Sequence, residues 1–162
     1  IITHVSYMLS KEVNINVSYG AIRNELNNRK IETPTLKQIS NVICDIRASK
    51  LPDPIVVGNA GSFFKNPIVT IEAYESLLQK YPEIVAFPFG DQMKLSAGWL
   101  IDRAGWKGHS QNGAGVYKNH ALVLINDGTN SGGDIWQLAM DIQADVLTKY
   151  GVEVAPEVNV WG

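Results

Sequence analysis

Ser62 stands directly after Gly61 and directly before Phe63 and Phe64, within Gly58-Asn-Ala-Gly-Ser-Phe-Phe-Lys-Asn-Pro67. The glycine lets the backbone adopt conformations that a β-carbon would forbid, and the two phenylalanines can anchor the turn in a core. Such a segment holds the serine hydroxyl rigidly towards a bound ligand. Serine is a poor acid in water, so as a proton donor it suits only a strongly basic acceptor such as an enolate-like carbanion. With an acid from elsewhere in the chain and scattered lysines, the chemistry is that of an anionic substrate and a proton transfer.

Other familiar sites lose ground on spacing. Gly58 to Lys65 has the glycines of a phosphate loop but lacks Gly-Lys-Ser/Thr, which argues against a P-loop nucleotidase. Ser62 lacks the Gly-x-Ser-x-Gly elbow, and no aspartate and histidine pair is well placed for a hydrolytic triad. His109 and His120 are eleven apart, without ligand-pair spacing, so no metal site is expected. There is no Gly-x-Gly-x-x-Gly fingerprint for a Rossmann-type dinucleotide site. Cys44, the only cysteine, is expected to be buried and inert on the apolar stripe of a helix, leaving no disulfide framework or cysteine zinc site.

The stretch around Ser62, from Lys50 to Val69, packs three prolines, two glycines and two lysines into twenty residues, which reads as a shaped loop. A Thr35/Gln38 capping box opens the helix before it, and Leu36, Ile39, Val42, Ile43 and Ile46 form its apolar stripe. That helix delivers Lys50 at its C-terminal end, where the dipole favours a cation. Further upstream, Ile22 and Leu26 lie four apart on a short helix, with Tyr19 at its entrance; on its own Tyr19 reads as a packing residue. Residues 1–9 alternate as a strand, His4 among them.

Downstream, Thr70 caps a helix carrying Tyr74, Leu77, Leu78 and Tyr81, closed by Pro82. An apolar segment from Ile84 to Phe87 meets a Pro-Phe-Gly-Asp turn. Leu95 to Ala104 reads as a helix ending at Gly105. Trp106 to Gly115 is a second glycine-rich loop, carrying Lys107 and feeding a strand that runs through His120 to Asn126. Ser131 or Asp134 caps the longest helix, with Ile135, Leu138, Ala139, Ile142 and Val146 on one face and Gly151 at its end. A last strand alternates Val152, Val154, Val158 and Val160, with Glu157 on the other face. Pro156 bars an uninterrupted central ladder there, so Glu157 sits at a kink or bulge and by itself reads as structural. No internal repeat or low-complexity linker occurs. The irregular mixture argues for an α+β fold, with helices packed on a mixed or antiparallel sheet, over a doubly wound one.

The 162 residues suffice for one domain with a real core and part of a neighbour, and the 45% apolar and 19% charged content is globular. A net charge of −2 with no basic stripe argues against nucleic-acid partners. No apolar run reaches the roughly 20 residues of a membrane span and no signal peptide is present, so the expectation is a soluble cytoplasmic protein. The chain opens at Ile1, already in a strand-like alternation, which reads as a fragment or processed chain with something upstream.

Gly58 to Pro67, preceded by Lys50-Leu-Pro-Asp-Pro54 and followed by Leu95-Ser-Ala-Gly-Trp-Leu-Ile-Asp102, resembles the C-terminal, substrate-binding half of the type I UDP-N-acetylenolpyruvoylglucosamine reductase (MurB) family. The resemblance runs over essentially the whole chain. It implies a bacterial cytoplasmic flavoenzyme of peptidoglycan synthesis, with FAD and NADPH as cofactors and UDP-N-acetylglucosamine enolpyruvate as substrate. Hydride passes from NADPH through FAD to C3 of the enolpyruvyl ether, and the resulting carbanion takes a proton at C2.

On the matching positions, Ser62 resembles the family's proton donor and Glu157, in Ala-Pro-Glu-Val, its acidic partner. Tyr19, in Val-Ser-Tyr-Gly, resembles the tyrosine of the mobile loop that closes over the nucleotide. Lys50, Asn66 and Lys107 match positions that contact the substrate's diphosphate and sugar. Two positions depart: Phe87 stands where a tyrosine contacts substrate in some members, and His120 where others have glutamine. The resemblance further implies that residues 1–51 are the tail of an FAD-binding domain, 52–151 the substrate-binding domain, and 152–162 a strand returning to the FAD domain. That domain and its catalytic arginine would lie upstream, so the chain alone is expected to be colourless and inactive in NADPH oxidation. A non-catalytic nucleotide-sugar binding module is the alternative.

Overall fold

The computed structural model describes residues 2–160, and its contacts separate two units, Ile1–Ser49 and Lys50–Gly162. Among the described residues no helix is long and apolar enough to cross a membrane.

The N-terminal unit is built on α1 (Gly20–Asn28) and α2 (Leu36–Lys50), of which only the last residue, Lys50, belongs to the second unit. The predicted capping box forms: Gln38 Oε1 accepts from the Thr35 amide at 2.8 Å and Thr35 Oγ1 accepts from the Gln38 amide at 3.3 Å. Leu26 of α1 and Ile39 and Val42 of α2 are buried. Arg29 ties the two helices together by pairing with Glu25 at 2.7 Å and Asp45 at 2.8 Å. The apolar stripe is narrower than the sequence suggests, because Leu36 and Ile43 are exposed.

Two expectations fail in this unit. Cys44 is exposed; two residues beyond Val42, at about 100° per residue, it faces well away from the buried side of α2. Residues 2–9 form no strand, and Ile1 lies outside the described residues. Alternation makes a strand only when a neighbour takes up the backbone hydrogen bonds, and no segment among the described residues does so for 2–9.

The second unit runs β1 (Gly58–Ser62), β2 (Ile68–Val69), α3 (Ile71–Lys80), β3 (Ala86–Phe89), β4 (Gln92–Leu95), α4 (Ala97–Arg103), β5 (Ser110–Gln111), β6 (Ala114–Val116), β7 (Val123–Asn126) and α5 (Gly132–Tyr150). Its strands make a four-stranded sheet in the order β1-β7-β6-β5 and a three-stranded sheet in the order β2-β4-β3. Every pairing is antiparallel. This is an α+β fold. Side-chain caps start its helices: Thr70 for α3 and a full Ser131/Asp134 capping box for α5, as their sequences predict, and Ser96 for α4. The core joins Leu95, Leu100 and Ile101 to Ile142 and Val146 of α5, all with no measurable exposure.

Three expectations are corrected in detail. The Lys50–Val69 segment is not loop throughout, since it contains β1 and β2; the glycines of β1 are tolerated because β7, far along the chain, supplies the ladder. Leu95 belongs to β4 rather than to α4, because Ser96 supplies the N-cap hydroxyl. Of the predicted C-terminal strand face Val152 and Val154 are buried but Val160 is exposed, and no strand forms among the described residues: the segment makes a single antiparallel bridge, Pro156 to Phe64. Proline has no amide hydrogen with which to extend a ladder.

Candidate functional site

Ser62 ends β1 at an irregularity. Asn59 pairs with Ile125 but Ser62 pairs with Val123, so three steps on β1 match two on β7. The extra residue is accommodated by Gly61 in the left-handed region at φ 74°, a conformation that costs a residue with a β-carbon about 1–2 kcal/mol. Bulges of this kind re-aim a side chain. Ser62 is exposed, whereas Phe63 and Phe64 are buried, as the sequence anticipates.

The C-terminal segment is fastened to the same place. The Glu157 amide donates to the Phe63 carbonyl and the Phe63 amide to the Leu122 carbonyl, both at 2.7 Å. The Lys65 amide donates to the Ala155 carbonyl at 2.8 Å. Glu157 is thus bonded to the residue next to Ser62, across nearly a hundred residues of chain, and its side chain is also exposed.

A positive field acts on His120. The imidazole is held below the usual histidine range by burial first, and then by the positive charges of Lys50 and Lys107. Its Nδ1 accepts from the Leu122 amide at 3.3 Å, which leaves Nε2 as the protonated nitrogen. The charges of the two predicted anion contacts, Lys50 at the end of α2 and Lys107 in the second glycine-rich loop, both act on this one histidine. Asn66 is fixed separately: its Oδ1 accepts from the Ala97 amide, the first of α4, at 3.0 Å. With the carbonyl so engaged, the Asn66 amide nitrogen is the group left to donate to a ligand.

Tyr19 belongs to the N-terminal unit, where its carbonyl accepts the first amides of α1 and its side chain is 64% exposed. A cavity of about 460 Å³ lies beside β1, lined by Ala60, Phe63, Ile125, Ile135, Trp136 and Val158 among others. Neither Ser62 nor Glu157 lines it, and its walls carry no cation. The sequence shows His120 as a poor metal partner for His109 and as a departure from a pattern; the lysine charges that act on it are brought to bear by the fold.

The field at His120 has a measurable sign. Unfolding returns the imidazole to about 6.5, so the unfolded chain binds a proton first as pH falls. The effect is absent above that value, and stability erodes as pH drops from it through the lower folded value. The His120 ring proton in an NMR titration is expected to move at a pH below that of free histidine. An anion seated between Lys50 and Lys107 is expected to move that midpoint up. A midpoint at or above the ordinary value would show that neither burial nor the lysine charges depress it.

A sequence model of the UDP-N-acetylenolpyruvoylglucosamine reductase C-terminal domain matches residues 53–161. The chain belongs to this family. The matched segment contains Ser62, Asn66, Lys107 and Glu157, while Tyr19 and Lys50 precede it. Curated relatives extend the similarity over the rest. The UDP-N-acetylenolpyruvoylglucosamine reductase of Pseudomonas syringae pv. tomato is 47% identical over 162 residues, which is 99% of this chain and 48% of the relative. Those of Bdellovibrio bacteriovorus and Pseudomonas aeruginosa are 46% and 45% identical with the same shares. The chain therefore spans about half the length of the curated relatives it matches.

Proposed function

We propose that this chain is the substrate-binding half of an FAD- and NADPH-dependent reductase that converts UDP-N-acetylglucosamine enolpyruvate to UDP-N-acetylmuramate in the bacterial cytoplasm, for peptidoglycan synthesis. The observation that carries the reading is Ser62 on its Gly61 bulge with Glu157 bonded to the adjacent Phe63, in a chain of the reductase family. Ser62 is the proton donor to C2 of the substrate. Glu157 is its acidic partner. Lys50, Lys107 and the Asn66 amide nitrogen supply donors for the diphosphate and sugar, and Tyr19 closes over the nucleotide.

The flavin supplies hydride when bound. No residue of this chain carries over as a flavin contact, so that role falls to the part of the relatives' length the chain does not span. What this chain contributes is a positioned proton and a cationic floor. Both suit a substrate that arrives as an anion and passes through a carbanion, because such a carbanion is basic enough to accept a proton from an alcohol.

The test is made on the full-length protein. NADPH consumption is expected with the enolpyruvyl UDP-sugar and not with a UDP-sugar lacking the enolpyruvyl group. Equal binding of both sugars without any NADPH consumption would instead indicate a nucleotide-sugar binding module.

A further inference from the structure

Lys107 is set on an unusually well-tethered loop, and one acidic residue holds its charge. Lys149 Nζ of α5 donates to the Ala104 carbonyl at 2.8 Å and to Asp145 Oδ2 at 2.7 Å. The same Asp145 oxygen accepts from the Trp106 indole at 2.8 Å. The backbone on the N-terminal side of Lys107 is thereby fastened to α5. The side chain itself has one tie among the described residues: its Nζ donates to Asp102 Oδ2, in the last turn of α4, at 2.8 Å.

This ion pair contributes little to folding. Its two side chains are 36% and 45% exposed, and exposed pairs are worth about 0–1 kcal/mol. Its effect is on freedom. A free lysine side chain samples many rotamers, and ordering one at a binding site costs about 0.5–1.5 kcal/mol. A lysine already held at Nζ meets an anion with much of that cost removed, and it keeps two further N–H donors to offer.

Resting on the reading of Lys107 as a substrate contact, we infer that Asp102 is a positioning residue: it holds the Lys107 ammonium in place for the substrate's diphosphate. α4 then serves two ligand groups at once. Its first amide orients Asn66 and its last turn orients Lys107, so a seven-residue helix sets the spacing between them. Asp102 also repels the anion it helps to place. In an exposed, water-screened position that repulsion is weaker than the benefit of ordering, which makes the sign of the effect a test.

The experiment is a double-mutant cycle on the flavin-loaded full-length reductase, with steady-state kinetics in the enolpyruvyl UDP-sugar and a thermal melt of each variant. Asp102→Asn is expected to raise KM about 3–10-fold, the ordering cost of one lysine, with kcat little changed and the melt unmoved. In a Lys107→Ala background, where KM is already raised, Asp102→Asn is expected to leave KM unchanged or to lower it. If Asp102→Asn leaves or lowers KM in the otherwise native enzyme, or raises it equally in both backgrounds, the positioning role is wrong. If Lys107→Ala alone leaves KM unchanged, the assignment of Lys107 to the substrate fails, and the role of Asp102 falls with it.

Discussion

Ser62→Ala in the full-length reductase is expected to slow turnover by at least about 10²–10⁴-fold, the usual loss on removing a general acid. The reduction of flavin by NADPH, which comes before the substrate's proton is needed, is expected to run at its normal rate. Stopped-flow absorbance separates the two half-reactions. The expectation rests on how narrowly Ser62 is placed. Gly61 supplies the left-handed turn, Phe63 and Phe64 are buried behind it, and the bulge against β7 fixes the register. Normal turnover of Ser62→Ala with the enolpyruvyl substrate would remove the proton-donor assignment.

The second large effect is on stability and can be measured on this chain. Phe64 is 1% exposed, its ring lies 5.3 Å from that of Phe63, and its backbone pairs with Pro156. Phe64→Ala is expected to cost about 3–5 kcal/mol, from lost burial and the cavity left behind. For a unit whose whole stability is of the order of 5–15 kcal/mol, that is a large fraction. Urea unfolding followed by tryptophan fluorescence reads the change, since Trp99, Trp106 and Trp136 all lie in the second unit. Phe87→Ala is the control, because Phe87 is 56% exposed and exposed substitutions usually fall within about 0.5 kcal/mol. A loss below about 1 kcal/mol at Phe64 would mean that the Phe63–Lys65 clasp on the C-terminal segment is held by backbone hydrogen bonds alone.

The link between these two predictions is the clasp itself. Glu157 stays beside Ser62 only while residues 155–157 remain paired to residues 63–65. Loosening Phe64 is therefore expected to disturb the site from behind, without touching either functional side chain.

Local chemistry was enough to read the helices and most of their starts, α4 excepted. Thr35, Thr70, Ser96 and Ser131 cap because a hydroxyl beside a helix start satisfies an amide that would otherwise go unpaired, whatever the rest of the chain does. The apolar stripe of α5 and the buried phenylalanines after Ser62 follow from the same short-range logic. The motif around Ser62 was also legible, since its glycine, serine and phenylalanines are consecutive.

Everything that depended on a distant partner was decided by tertiary structure. Residues 58–62 read as loop and became β1 because β7 offers them a ladder; residues 2–9 read as strand and form none because nothing among the described residues does. Cys44 read as buried, yet the buried side of α2 narrowed to Ile39 and Val42. The bond from the Glu157 amide to the residue beside Ser62, and the action of the Lys50 and Lys107 charges on His120, arise only from the fold. A hydrogen bond or an electric field acts over a few ångströms of space and carries no mark in the sequence between its ends. The candidate site residues were named one by one from motifs that resemble the family's, but their company, including Asp102 beside Lys107, had to come from the structure.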